Sequence, residues 1–373
     1  MDLAFLQPLY ERPGPWASVY ADTSRHTENT AVERSLIARD VRRQLLEQGV
    51  DEPTSDAVGT ALEELRHSTE PAGRALFATQ GQVVLDPPLA AAPQGTWGTW
   101  SALPRTAPLL DLAGEDPLCL VAYVDRRGAE LELRGARGGE AAGEIAGKQW
   151  PVHRTRTADW SETHFRLHVE ETWEQNAGQI AEAITATHEE TRADLVVLVG
   201  DDRERRAVRD RLPQRVRECT SETEHGKGSR LLPDELARLR AAYVHARAAD
   251  ELDRFLQARA PDAEGRSGAV EGVPQLVEAA REHRISELLI RPDGPDAHRE
   301  VWVGEDPDQL AVRRTEGKPL GEPDPWPARA DDALMRSAAT TGAQGLSLSA
   351  AGPTEAPAGG LGALLRWKEP AAG

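Results

Sequence analysis

The stretch Gly359-Gly360-Leu361-Gly362-Ala363-Leu364-Leu365-Arg366-Trp367 decides how this chain is read. Its second half, from Ala363 to Trp367, reads as a strand, and it closes a series of elements that begins at residue 268. Working back from it, Leu346-Ser347-Leu348 reads as another strand, and Leu334 and Ala338 share a helix that Gly342 stops. Further upstream, Val273, Leu276, Val277 and Ala280 recur at the helical period, and Ile285-Ser286-Glu287-Leu288-Leu289-Ile290 follows as a strand. The alternation predicts a small α/β sandwich over residues 268 to 370.

Before it, the stretch from Pro261 to Gly268 reads as a linker, and a long helix carries Leu236, Leu239, Ala242, Ala246, Ala249, Leu252 and Leu256 on one face. A second α/β domain is expected over residues 116 to 262. It opens with the nearly continuous apolar run Leu118 to Val124, suited to a strand buried on both faces. A turn at Asp125-Arg126-Arg127-Gly128 leads into Ala129, Leu131 and Leu133, which alternate with polar residues as a half-buried partner strand. Phe165, Val169, Trp173, Ala177, Ile180 and Ile184 then predict one amphipathic helix from Ser161 to Glu190. The strand Leu195 to Val199 ends at Gly200-Asp201-Asp202, where a polar helix starts.

The first domain, residues 1 to 115, carries two helical patterns. One runs through Val32, Leu36, Val41 and Leu45 up to Gly49, and the other through Val58, Leu62 and Leu65. Ala75-Leu76-Phe77-Ala78 and Val83-Val84-Leu85 flank Gln80-Gly81 as a short hairpin. From Asp86 to Asp116 the chain is rich in Pro, Gly and Ala, holds Trp97 and Trp100, and reads as an extended linker.

A length of 373 residues suits two or three domains. With 39% hydrophobic residues but four Phe and four Tyr, the cores must be built from Leu, Val and Ala. No apolar stretch is long enough to cross a bilayer, and the acidic start Met1-Asp2-Leu3 lacks the basic region of a signal peptide, so a cytoplasmic protein is expected. Cys119 and Cys219 have no metal-ligand spacing around them, which argues against a disulfide framework or a zinc site. The net charge of -18 disfavours nucleic acid in general, so any RNA contact must come from a concentrated basic element.

The last domain resembles the C-terminal domain of archaeal and eukaryotic class I release factors and Pelota. Their helix of the form V-x-x-L-V-E-A corresponds to Val273-Pro274-Gln275-Leu276-Val277-Glu278-Ala279, leading into Glu287-Leu288-Leu289-Ile290. Their closing G-G-x-G-A-x-L-R corresponds to Gly359 through Arg366. The central part resembles the RNase-H-like middle domain of that superfamily in pattern. The whole chain is similar to the bacterial branch that includes the Balon-type ribosome hibernation factors and their actinobacterial relatives. The resemblance implies an α/β protein of three domains: a small α/β N-terminal domain, an RNase-H-like middle domain and an L7Ae-like α/β sandwich.

True release factors carry a Gly-Gly-Gln loop that reaches the peptidyl-transferase centre and an Asn-Ile-Lys-Ser element that inspects stop codons. Neither occurs here. The interval matching the first is Lys148-Gln149-Trp150-Pro151-Val152-His153-Arg154-Thr155-Arg156-Thr157-Ala158-Asp159-Trp160. The resemblance with these departures implies a non-enzymatic, rRNA-binding, stress-related factor that occupies the A site of idle ribosomes. Elongation factor Tu is its candidate companion, with no cofactor, no membrane and a monomeric state. The alternative is a ribosome-rescue factor or peptidyl-tRNA hydrolase that uses Gln149. A third possibility is a scaffold that uses its C-terminal domain for protein partners.

Two elements are expected to face RNA. In the first, Lys148, Arg154, Arg156 and His153 supply phosphate partners beside Gln149, and Trp150 and Trp160 supply stacking surfaces. The bland reading is that the tryptophans anchor the loop to its own domain. In the second, Arg203, Arg205, Arg206, Arg209, Arg211, Arg215 and Arg217 place seven arginines in fifteen positions, with Arg203, Arg206 and Arg209 as the RNA candidates. Their bland reading is a solvated helix face.

No nucleophile with its base is found. His164 and His168, four apart on the expected helix, lack the glutamate of a zincin and a third ligand. Asp201 and Asp202 are similar to strand-end carboxylates of RNase-H-like nucleases, but with no second pair a helix N-cap is the expectation. His225-Gly226-Lys227-Gly228-Ser229 lacks the full phosphate-loop frame and reads as a surface loop.

Overall fold

The computed structural model describes the chain apart from residues 24–29, 66–72, 115–116, 126–127, 135–139, 143–160, 169–172, 224, 227, 317–320, 322–323, 353–355 and 371–373. It forms two compact units, one made of Met1–Glu115 with Ala246–Gly373 and one of Asp116–His245.

The N-terminal part holds α1 (Gln7–Tyr10), β1 (Trp16–Asp22), α2 (Thr30–Glu47), α3 (Glu52–Glu64), β2 (Gly73–Thr79), β3 (Gln82–Leu85), β4 (Pro88–Leu89), β5 (Trp97–Ser101) and α4 (Leu109–Leu112). The two expected helices and the hairpin are present. Gly49, at φ +93°, ends the first helix, and the Asp51 side chain caps the second by accepting Thr54 N at 2.9 Å. The hairpin turns through Gln80 and Gly81, both at positive φ. The segment expected to be a linker instead supplies β5, which pairs antiparallel with β1 and sets Trp100 opposite Ala17. Gly and Pro hid a strand whose ladder partner lies far away in sequence.

Strand β1 is buried on both faces. Ala17, Val19 and Ala21 pack on Ala38, Val41 and Leu45 of α2 and Val58 and Leu62 of α3. Trp16 and Tyr20 point the other way, into a larger core shared with the C-terminal part.

The central unit contains β6 (Cys119–Asp125), β7 (Gly128–Arg134), β8 (Glu140–Ala142), β9 (Ser161–His168), α5 (Trp173–Thr191), β10 (Leu195–Val199), α6 (Asp202–Arg209), α7 (Gln214–Glu218) and β11 (Thr220–Thr223). Helix α8 (Leu232–Arg259) begins in this unit and ends in the other. The sheet order is β11-β10-β6-β7-β9-β8. Strands β6, β10 and β11 run parallel, while β7 runs antiparallel to both β6 and β9, the RNase-H-like arrangement.

One face of this sheet is covered by Ala177, Ile180 and Ile184 of α5, Val208 of α6 and Val216 of α7. The other meets Leu232 and Leu236 of α8. Burial on both faces explains the uninterrupted apolar run of β6.

The segment expected as one helix from Ser161 to Glu190 is a strand followed by a helix. Residues Ser161–His168 form β9, with Phe165 opposite Leu131, and the helix starts at Trp173. Thr163, Phe165 and Leu167 also fit a period of two, and pairing with the open side of β7 favours the strand.

The C-terminal part contains β12 (Arg266–Glu271), α9 (Val273–Arg281), β13 (Ile285–Ile290), β14 (Glu300–Val303), β15 (Leu310–Ala311), β16 (Trp326–Arg329), α10 (Ala330–Thr340), β17 (Gln344–Ser347) and β18 (Leu361–Pro370). The main sheet has the order β12-β18-β13-β17, and β15-β14-β16 form a small separate sheet. Strand β12 takes over the end of the stretch expected as the second linker. Helices α9 and α10 pack on one face through Leu276, Val277, Leu334 and Ala338. Leu252 and Phe255, from the second half of α8, pack on the other with Leu289, Leu346 and Leu364. The expected α/β sandwich is therefore completed by a helix that the sequence suggested for the domain before it.

The glycine stretch that opens the reading is a packing device. Gly359 and Gly360 have φ of +68° and +86°, and a Cβ on Gly360 would sit 2.6 Å from the Gly294 Cα. The Gly360 carbonyl accepts Arg291 N at 2.8 Å, so two backbone segments meet where no side chain fits.

No local pattern marks the polar joint of this unit. Arg105 donates to Asp331 at 2.8 Å and to Asp332 at 2.9 Å. Asp332 Oδ1 also accepts Thr106 N at 2.9 Å and Ala107 N at 3.0 Å. Burial, and then the neighbouring Asp331, push the Asp332 carboxyl up to about 6.

Candidate RNA-facing site of the central unit

The arginine segment becomes α6, a turn and α7. Arg205 is buried and bonds to Asp202 at 2.6 Å, with Glu222 of β11 at 3.4 Å. Arg209 bonds to Glu222 at 2.7 Å, and Arg215 pairs with Glu189 of α5. Arg211 and Arg217 donate to backbone carbonyls of Ala207 and of Asp210 and Leu212. Five of the seven arginines thus serve the fold, some of them through carboxylates distant in sequence.

Arg203 and Arg206 are exposed. Arg206 pairs with Asp202 at 2.9 Å with its side chain 72% exposed, a contact that water competes with readily. Arg203 has no ion-pair or hydrogen-bond partner among the described residues. One helix therefore presents Arg203 and Arg206 to solvent and ties Arg209, at 43% side-chain exposure, to Glu222.

Lys148, Gln149, Trp150, His153, Arg154, Arg156 and Trp160 lie outside the described residues. In chain order their segment sits between β8 and β9, so it precedes a strand rather than the long helix.

The parallel register sets Val199, the last residue of β10, opposite Tyr123 of β6, and Asp125 closes β6 while Asp201 follows β10 by two residues. Between Val199 and Asp201, Gly200 approaches the end of β6 so closely that a Cβ there would strike the Val124 carbonyl. Asp201 takes the N-cap position of α6, and its carbonyl accepts Glu204 N and Arg205 N, both at 3.0 Å, although its side chain makes no capping bond. Among the described residues no group of three His, Cys, Asp or Glu side chains could hold a metal ion.

His164 and His168 lie on the strand β9, where four residues of backbone span roughly 13 Å, and not on the helix expected for them. The loop at His225 is tied at its base: Thr223 Oγ1 donates to Glu235 and accepts His225 N at 3.0 Å. Both cysteines are free thiols, and burial pushes Cys119 up to about 12. Cys219 Sγ lies 3.4 Å from His188 Nε2. Sequence reasoning also missed a partly buried trio in which Tyr123 OH donates to Glu132 at 2.7 Å and Arg134 Nε donates to the same carboxylate at 2.6 Å.

The family model of the bacterial archaeo-eukaryotic release factor family 2 matches residues 118–261, nearly all of the central unit and the whole of α8. The uncharacterized protein Rv2629 of Mycobacterium tuberculosis is 30% identical over 370 residues, 97% of this chain and 96% of that one. The chain belongs to the bacterial branch of the archaeo-eukaryotic release factor and Pelota superfamily. Solved structures similar to this release-factor-like chain include Archaeoglobus fulgidus Pelota, with 14% identity, a TM-score of 0.35 and coverage of 98% of this chain and 92% of that one. Dom34 of S. cerevisiae, described as a translation termination-like factor interacting with Hbs1, shows 12% identity, a TM-score of 0.39 and coverage of 79% and 73%. Among the described residues of this release-factor-like chain, no helix is long and apolar enough to cross a membrane.

Proposed function

We propose that this chain is a ribosome-binding translation factor that occupies the A site of idle ribosomes without hydrolysing peptidyl-tRNA. The observation that carries the proposal is a release-factor-family sequence with neither Gly-Gly-Gln nor Asn-Ile-Lys-Ser. Family membership supports a role in translation, and the two missing elements argue against codon reading and peptide release. Contact with rRNA falls to the exposed Arg203 and Arg206 and to the segment from Lys148 to Trp160, whose arginines and tryptophans suit phosphates and unpaired bases. Elongation factor Tu is the proposed companion.

Sucrose-gradient sedimentation of stationary-phase extracts tests the reading. The protein is expected with ribosomes, and recovery only in the ribosome-free fraction would overturn it. Purified ribosomes carrying peptidyl-tRNA should release no peptide on addition of the protein. Release that disappears in Gln149→Ala would replace a hibernation factor by a hydrolase.

A further inference from the structure

The C-terminal part carries a groove of about 520 Å³ between α9 and the segment that includes β14 and β15. Its apolar floor is Pro274 and Val277 of α9 with Val312 after β15, and its rim carries Glu278, Glu282, Asp308 and Glu316. Both walls are held before any ligand arrives. Leu276, Val277 and Ala280 fix α9 to the core. On the opposite wall, the buried Arg336 donates to the carbonyls of Gly304 at 2.8 Å and Glu305 at 2.6 Å.

Charge decides what fits. Arg281 is the one cation lining the groove, and the buried Arg284 pairs with Glu282 at 2.7 Å. Asp308 is 2.6 Å from the exposed His283 Nε2, and Glu316 accepts Arg313 N at 3.4 Å. Glu278 has no cationic partner among the described residues. Four carboxylates therefore line the groove with one guanidinium, Arg281, around an apolar floor. Phosphates would be repelled by this rim, and a purely apolar ligand would strip water from carboxylates without replacing it.

We propose that this groove docks a lysine- or arginine-bearing segment of a partner protein, with one aliphatic side chain on Val277 and Val312 and cationic heads at Glu278 and Glu316. The mode is a peptide in a preformed groove, where the floor supplies affinity and the rim selects charge. It is independent of the reading given for the central unit.

Fluorescence anisotropy on the full chain tests it with a short labelled amphipathic peptide of leucine and lysine. The double variant Glu278→Lys with Glu316→Lys should weaken binding about tenfold or more. Asp250→Lys with Asp253→Lys makes the same change of net charge at exposed positions of α8 and should leave affinity unchanged. The milder Glu278→Gln should lower affinity about threefold while preserving the fold. Absence of peptide binding, equal losses in the two double variants, or displacement of the peptide by single-stranded RNA would each overturn the proposal.

Discussion

Replacing Asp332 by Asn tests the polar joint that ties the first and last segments of the chain into one unit. Asn keeps an oxygen that can accept Thr106 N and Ala107 N, but removes the charge facing Arg105 and Asp331. The Asp332 carboxyl stands at about 6 in the fold, raised first by burial and then by Asp331. In the unfolded chain it returns to about 3.9. The folded state therefore holds this proton more tightly than the unfolded one. The associated stability is fully present below the unfolded value and is lost as pH rises through the folded one, in total roughly 3 kcal/mol. Between pH 5 and pH 7 the loss is on the order of 1 kcal/mol. The Asn variant has no such proton, so its stability relative to the native protein should improve by about that amount over the interval. Urea unfolding followed by circular dichroism at the two pH values measures it. A difference independent of pH, or one that favours the native protein more at pH 7, would refute the account of Asp332. Asp332→Ala should cost about 2 to 5 kcal/mol at either pH, because two backbone amides lose their acceptor.

Two further outcomes follow from the packing. Gly360→Ala puts a methyl against the Gly294 backbone at a positive φ, and should lower the thermal midpoint by several degrees, corresponding to at least about 2 kcal/mol. The α6 arginines should divide by role. Arg205→Ala removes the buried guanidinium between Asp202 and Glu222, leaving them only Arg206 and Arg209, and should destabilise the protein by about 1 to 3 kcal/mol, whereas Arg203→Ala with Arg206→Ala should leave the melting curve within about 0.5 kcal/mol and reduce co-sedimentation with ribosomes. Unchanged co-sedimentation would remove α6 from the proposed RNA contact.

Much of the architecture could be read where a pattern is carried by one continuous segment. The apolar run of β6, the alternation of β7 and the spacing of Val273, Leu276 and Val277 each report their own surroundings, because burial on one face or two imposes a period on neighbouring residues. Trp97 to Ser101 did not show itself as a strand, since its pairing with β1 is a long-range choice written in no local period. Phe165 satisfied two periods at once, and only the presence of β7 beside it settled which applied. The arginine segment was conspicuous in sequence, yet its roles depend on Glu189 and Glu222, which the fold brings to it.

By itself, the sequence determined the family, through Gly359 to Arg366 and the helix at Val273, and it determined which family chemistry is missing, since an absent Gly-Gly-Gln needs no coordinates. Tertiary structure alone decided why those glycines are glycines, which arginines remain exposed, and that the first and last segments share one core around Tyr20, Leu276 and Leu334. The physical reason is range. Covalent order fixes local periodicity and motif spelling, whereas burial, ion pairing and close backbone approach depend on residues that meet only after the chain has folded.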